Sequence, residues 1–85
     1  MTKVQVDRGA IQFVLKGSNI MCPGLTSKGG NLDEDFEQNT PVAIMAEGKE
    51  HALGLGLTKL SRQEIIKENN GVGLINIHCL DGKSL

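Results

Sequence analysis

Aromatic side chains are almost missing from this chain. Phe13 and Phe36 are the only two in 85 residues, and there is no Trp or Tyr. That scarcity argues against sheet-borne stacking platforms and single-strand OB grooves, which hold bases on several rings. Long apolar runs are missing as well: nothing approaches the roughly 20 residues that cross a bilayer, and no signal-peptide core is present. No membrane partner is therefore expected. Cysteine is limited to Cys22 and Cys79, with no CxxC spacing, so a reducing, cytoplasmic compartment is the expectation.

The residues of catalysis are also thin. His51, His78, Cys22 and Cys79 are the soft metal ligands on offer, but His78 and Cys79 are adjacent on a predicted strand and point to opposite faces. A zinc site, a Cys22–Cys79 disulfide and a Cys–His nucleophile pair are all disfavoured, the last for want of an orienting group. The acidic run Asp33 to Glu37 lacks the oxygen spacing and glycine of an EF-hand. Gly54-Leu55-Gly56 lies inside a strand rather than between strand and helix, so it is no dinucleotide fingerprint. Neither an enzyme nor a cofactor is expected.

The charge that is present is segregated. The formal net charge is −1, yet four of the ten acidic residues, Asp33, Glu34, Asp35 and Glu37, sit in one loop-like run. Nine basic residues then face six acidic ones elsewhere, which permits a basic face but is also what a mixed solvated surface looks like.

The pattern of elements centres on Gly17-Ser18-Asn19-Ile20-Met21-Cys22-Pro23-Gly24. Before it, residues 3–6 alternate as a strand, Asp7 is an N-cap, and residues 8–16 form a helix with Ile11, Val14 and Leu15 on one stripe. Gly17 ends the helix in the left-handed conformation, Ile20 to Cys22 is a short strand, and Pro23-Gly24 is a turn. Leu25 to Asn39 reads as a loop with a turn of helix around Asp33 to Phe36, and Val42 to Ala46 as a buried strand followed by a hairpin turn at Glu47-Gly48-Lys49-Glu50. In the next strand, His51 to Leu60, Leu53, Leu55 and Leu57 face one way and Gly54 and Gly56 the other. The glycines admit either a packed structural partner or a ligand backbone. Ser61-Arg62-Gln63-Glu64 is a capping box with a Leu60/Ile65 staple, opening a helix that Asn70-Gly71 stops. Val72 to Leu80 is the last strand, with Leu74 beside Val72 and His78 on one face and Ile75, Ile77 and Cys79 on the other, and Asp81-Gly82 starts a turn.

This order resembles a PUA domain, the fold of pseudouridine synthases and archaeosine transglycosylases. Val6-Asp7-Arg8-Gly9-Ala10, Gly17 to Leu25, Val42 to Lys49, His51 to Gly56, Asn69 to Gly73 and Ile77-His78 carry the likeness. The runs NIMCPGLTS and VAIMAEGKEHAL further resemble the PUA half of the malignant-T-cell-amplified-sequence (Tma20) family of translation factors. The resemblance covers nearly the whole chain. It implies a mixed α/β, mainly β fold: a six-stranded pseudobarrel with two flanking helices, forming one PUA domain over residues 1–85. It implies non-catalytic binding of RNA, tRNA or ribosomal, on the small ribosomal subunit, in re-initiation or recycling, with the density-regulated protein as partner of the full-length factor. The family carries a further N-terminal domain and an aromatic-containing tail after the equivalent of Leu80, so the chain is expected to be a fragment with an incomplete last barrel edge.

Carried onto this chain, the resemblance implies a groove beside the first helix. Arg8 and Lys16 would neutralise phosphates at the two ends of that helix, while Gly9 and the amides of Gly17 and Ser18 would donate to the sugar–phosphate backbone. Asn19 would read a base edge, or else satisfy the strand corner. Met21, Pro23 and Gly24 would form an apolar shelf, unless Met21 belongs to the core. Lys59 and Arg62 would add charge at the start of the second helix. The rival reading is a protein-interaction module that docks a ribosomal or initiation-factor protein on the Gly54/Gly56 face or the acidic loop.

Overall fold

Val4 and Val6 alternate with polar neighbours and are both fully buried, which fixes the inner face of β1 (Thr2–Val6). The computed structural model describes residues 1–79 of the chain; the predicted turn at Asp81-Gly82 lies outside them. Asp7 then starts α1 (Arg8–Leu15) as an N-cap: its carboxylate accepts from the Ala10 N–H at 3.0 Å. Gly17, with φ +85°, ends it. There the Ser18 N–H reaches back to the Phe13 carbonyl at 2.9 Å and the Gly17 N–H to that of Val14 at 3.0 Å, the paired bonds of a Schellman motif.

The chain continues as β2 (Ile20–Met21), α2 (Pro23–Thr26), β3 (Pro41–Ala46), β4 (Gly54–Thr58), α3 (Arg62–Glu68) and β5 (Val72–Cys79). Pro23-Gly24, expected as a turn, opens the four-residue helix α2 instead. Proline is at home in a first helical turn, where its missing N–H costs nothing. The expected helical turn near Asp33 is not formed. Leu32 and Phe36 anchor that loop in the core while Asp33, Glu34, Asp35 and Glu37 stay exposed. The capping box of α3 is present in both directions: the Glu64 N–H donates to Ser61 Oγ at 3.2 Å and the Ser61 N–H to Glu64 Oε1 at 2.9 Å. Asn69, in the left-handed region at φ +46°, ends the helix ahead of Asn70-Gly71.

The strands form one mixed sheet in the order β1-β3-β4-β5-β2, with β1 parallel to β3 and the other pairs antiparallel. β1 and β2 are consecutive strands, yet they lie at opposite edges of this sheet. The sheet therefore curls until α1 spans the gap, and the Asp7 N–H donates to the Gly24 carbonyl across it at 3.0 Å. This is a pseudobarrel, but among the described residues it has five strands rather than six, and three helices rather than two. The place of a further strand beside β1 is taken by Asn31, which exchanges two backbone bonds of 2.9 Å with Gln5.

β4 starts later than predicted, at Gly54, and its glycines face the interior. Gly54 and Gly56 are buried, and Leu55 and Leu57 are half-buried on the outer side. The reason is Ile44 on β3: a Cβ on Gly56 would stand 3.2 Å from Ile44 Cδ1 and 3.2 Å from the Ile75 carbonyl oxygen. The close partner of Gly56 is thus structural, and the burial of both glycines removes their face as a docking surface. On β5 the expected alternation breaks, because the register passes over Gly73 opposite β2 and over Ile77 opposite β4. Leu74 is buried, whereas Ile77 is 54% exposed.

Thr58 is the one buried polar side chain among the described residues. Its hydroxyl donates to the Glu37 carbonyl and accepts from the Thr40 N–H, both at 2.8 Å, which ties the long loop to β4. Thr58→Val keeps the shape and strips both bonds, so chemical denaturation should show a loss of about 1–3 kcal/mol. Cys22 is fully buried beneath the β2–α2 corner. Burial pushes its thiol above the ordinary value, with the Glu68 charge adding slightly and backbone hydrogen bonds opposing. A raised pKa makes the folded state bind the thiol proton more tightly than the unfolded one, so this contribution to stability is full below the unfolded thiol pKa and is lost as pH rises through the folded one. Iodoacetamide labelling read by mass spectrometry should therefore spare Cys22 in the native protein and reach it on unfolding.

Candidate nucleic-acid interface

α1 has a depression on each flank. Gly9, Ala10 and Phe13 on one side meet Met21 and Gly24 across a groove of about 330 Å³, with Asp7 at its end. Arg8, Ile11, Gln12 and Leu15 on the other side meet Glu47, Gly48 and Lys49. The first groove is the apolar one. Its two large side chains, Phe13 and Met21, are 48% and 50% exposed. The small residues Gly9, Ala10 and Gly24 leave its floor open.

Phe13 was not among the residues singled out from sequence. It sits off the Ile11/Val14 stripe but three residues from both Ala10 and Lys16, so it shares their face of the helix. The Lys16 ammonium lies 5.8 Å from the centre of the Phe13 ring, within cation–π range. One ring and one thioether thus line the groove, with one ammonium beside the ring. The other aromatic, Phe36, is 6% exposed and belongs to the core.

The two ends of α1 differ in charge. At the N-terminus Asp7 caps Ala10 and accepts from the Ser27 hydroxyl, and Glu47 Oε1 accepts from the Arg8 N–H at 3.2 Å. Two carboxylates already occupy the positive end of the helix dipole, where a phosphate would otherwise be drawn. The Arg8 guanidinium is 4.0 Å from Glu47 and opens onto the second depression, away from Phe13. Arg8 and Lys16 therefore do not share a groove.

The remaining predicted residues divide in the same way. Gly9, Met21 and Gly24 line the groove, and Met21 is not core. Pro23 is exposed at the first turn of α2, outside the groove lining. The Gly17 and Ser18 amides are bonded to the Val14 and Phe13 carbonyls, which takes them out of the donor set. Asn19 satisfies the strand corner, its Oδ1 accepting from the Asn76 N–H at 3.0 Å. Lys59 and Arg62 lie away from the groove. Arg62 donates through Nε to the Leu32 carbonyl, and the start of α3 is already capped by Ser61 and Glu64. Sequence reasoning missed Asn76, which bonds α1 to β5; an asparagine within a strand was its only local signal.

A curled mixed sheet, closed by a helix that carries a groove on its flank, is the architecture of a PUA domain. The chain belongs to the PUA domain family, whose pattern it matches over residues 2–80. Within that class it is 54% identical over 79 residues to Translation machinery-associated protein 20 of Schizosaccharomyces pombe, covering 93% of this chain and 44% of that one. It is 58% identical over 77 residues to Malignant T-cell-amplified sequence 1 of Danio rerio, covering 91% and 42%. The chain thus spans less than half the length of these curated relatives. Among solved structures, it superposes on a conserved PUA domain protein from Thermoplasma acidophilum with a TM-score of 0.80 at 22% identity, over 96% of this chain and 51% of that one. It also superposes on a chain of the archaeal box H/ACA sRNP Nop10-Cbf5 complex with a TM-score of 0.77 at 26% identity, over 91% and 23%.

The two phenylalanines should separate cleanly in a stability measurement. Phe36→Ala empties a core position and is expected to cost about 3–5 kcal/mol in urea denaturation. Phe13→Ala removes a half-exposed ring and should stay within about 1 kcal/mol.

Proposed function

We propose that this chain is a non-catalytic RNA-binding module of a translation factor, and that it takes an unpaired stretch of RNA in the Phe13–Met21 groove. The observation that carries the reading is the exposed pair of Phe13 and Met21 beside Lys16, at the edge of a PUA fold. A base stacks on a ring regardless of its identity, and an adjacent ammonium neutralises its phosphate. Membership of the PUA family and close likeness to a protein named for the translation machinery support the setting.

The finer reading follows from that setting. The RNA is tRNA or ribosomal RNA, the place of action is the small ribosomal subunit in the cytoplasm, and the step is re-initiation or recycling. In the longer factor, the density-regulated protein is a partner. Within this chain Phe13, Met21, Gly9 and Gly24 shape the base site and Lys16 holds phosphate. Arg8 acts at longer range, because Glu47 already offsets its charge.

The test is fluorescence anisotropy of the 85-residue chain with intact tRNA and with tRNA lacking its single-stranded 3′ end, at low and physiological salt. Intact tRNA should bind more tightly, and Phe13→Ala should weaken it by about 1–3 kcal/mol. Lys16→Ala should lower the slope of log affinity against log salt by about 1, with Arg8→Ala having the smaller effect. Equal affinity for both tRNAs, or none even at low salt, would overturn the reading in favour of a protein-docking module.

A further inference from the structure

The groove is only as well defined as the helix that forms one of its walls, and that helix is short. α1 has eight residues and joins opposite edges of the sheet. Its N-terminal end is held by the Asp7 and Glu47 carboxylates. Its C-terminal turn, which carries Phe13 and leads to Lys16, is held by something else.

β2 pairs with β5 only as far as Ile20 opposite Leu74. Beyond that point β5 would be left with an open edge, and Asn76 lies there. Three bonds close it. The Asn76 N–H donates to Asn19 Oδ1 at 3.0 Å, so a side chain continues the ladder that β2 has left. The Asn76 side-chain amide nitrogen, Nδ2, donates to the Val14 carbonyl and to the Ser18 carbonyl, both at 3.1 Å. Those two carbonyls bracket the Schellman turn at Gly17. A carboxamide nitrogen has two donors, and here both are used on the end of one helix. No other residue type of this size offers that geometry: Asp has no donor, and Ser has one.

We infer that Asn76, with Asn19 as its counterpart, is the positioning residue of the RNA groove. It fixes the last turn of α1 to β5, and so sets where the Phe13 ring stands relative to Met21. It touches no RNA itself. Asn19 in this account supports the wall of the groove rather than reading a base. The inference rests on the groove being the RNA site.

A double-mutant cycle tests it, because a residue that acts only through Phe13 must lose its effect once Phe13 is gone. The probe is a short single-stranded RNA, its affinity measured for the full chain, Asn76→Ala, Phe13→Ala and the double variant. Asn76→Ala alone should weaken binding by about five-fold, and in the Phe13→Ala background by less than about two-fold. Thr58→Val serves as a control that lowers stability at a residue outside the groove lining, and it should leave affinity within about two-fold. Equal losses from Asn76→Ala in both backgrounds would overturn the inference, as would no loss in an otherwise binding protein. A wild-type chain that fails to bind, or that binds as tightly after Phe13→Ala, overturns the groove reading itself and this inference with it.

Discussion

The structure depends on one constraint: α1 must bridge the two edges of the sheet it belongs to. β1 and β2 are successive strands but occupy opposite ends of the strand order. A helix of eight residues is only about 12 Å long, so the sheet has to curl until its edges come within that reach. Curling brings the inner faces of β1, β3 and β5 around Val4, Val6, Ile44 and Leu74. It also bears on Gly56 of β4, where a Cβ would crowd Ile44 Cδ1 and the Ile75 carbonyl oxygen, both at 3.2 Å.

The groove is a by-product of the same constraint. A helix laid across a gap presents one flank to each edge, so depressions form on both sides of α1. Their character is set by what the edges supply. On the β2–α2 side the edge offers Met21 and Gly24, and the groove is apolar and open. On the other side Glu47, just after β3, stands 4.0 Å from the exposed Arg8 guanidinium. The Arg8–Glu47 pair and the apolar groove thereby lie on opposite flanks of α1, although net composition gives no hint of it.

What was legible in the sequence was local. The Asp7 cap, the Gly17 helix end, the Ser61/Glu64 capping box and the alternating strand β1 each depend on residues within a few positions of one another, and each is present. The motif runs around Asn19 to Ser27 and Val42 to Leu53 identified the family. What was not legible was long-range. The tight place of Gly56 is set by Ile44, the surroundings of Arg8 by Glu47, and the role of Asn19 by Asn76, 57 residues away. Pro23-Gly24 was ambiguous for a different reason, since proline suits a turn and a first helical turn equally well. Phe13 is not legible from composition, since aromatic content is a global count, whereas a single ring matters once it is exposed beside a groove.

An NMR titration of the 15N-labelled chain with a short single-stranded RNA, following backbone amides residue by residue, locates the bound strand. Shift changes should concentrate on the groove side of α1 and the β2–α2 corner, at Gly9, Ala10, Phe13, Lys16, Met21 and Gly24. Changes centred on Lys59 and the start of α3 at Arg62, or on the outer face of β4 and β5 around Leu55, Leu57 and Ile75, would rule the groove out as the RNA site.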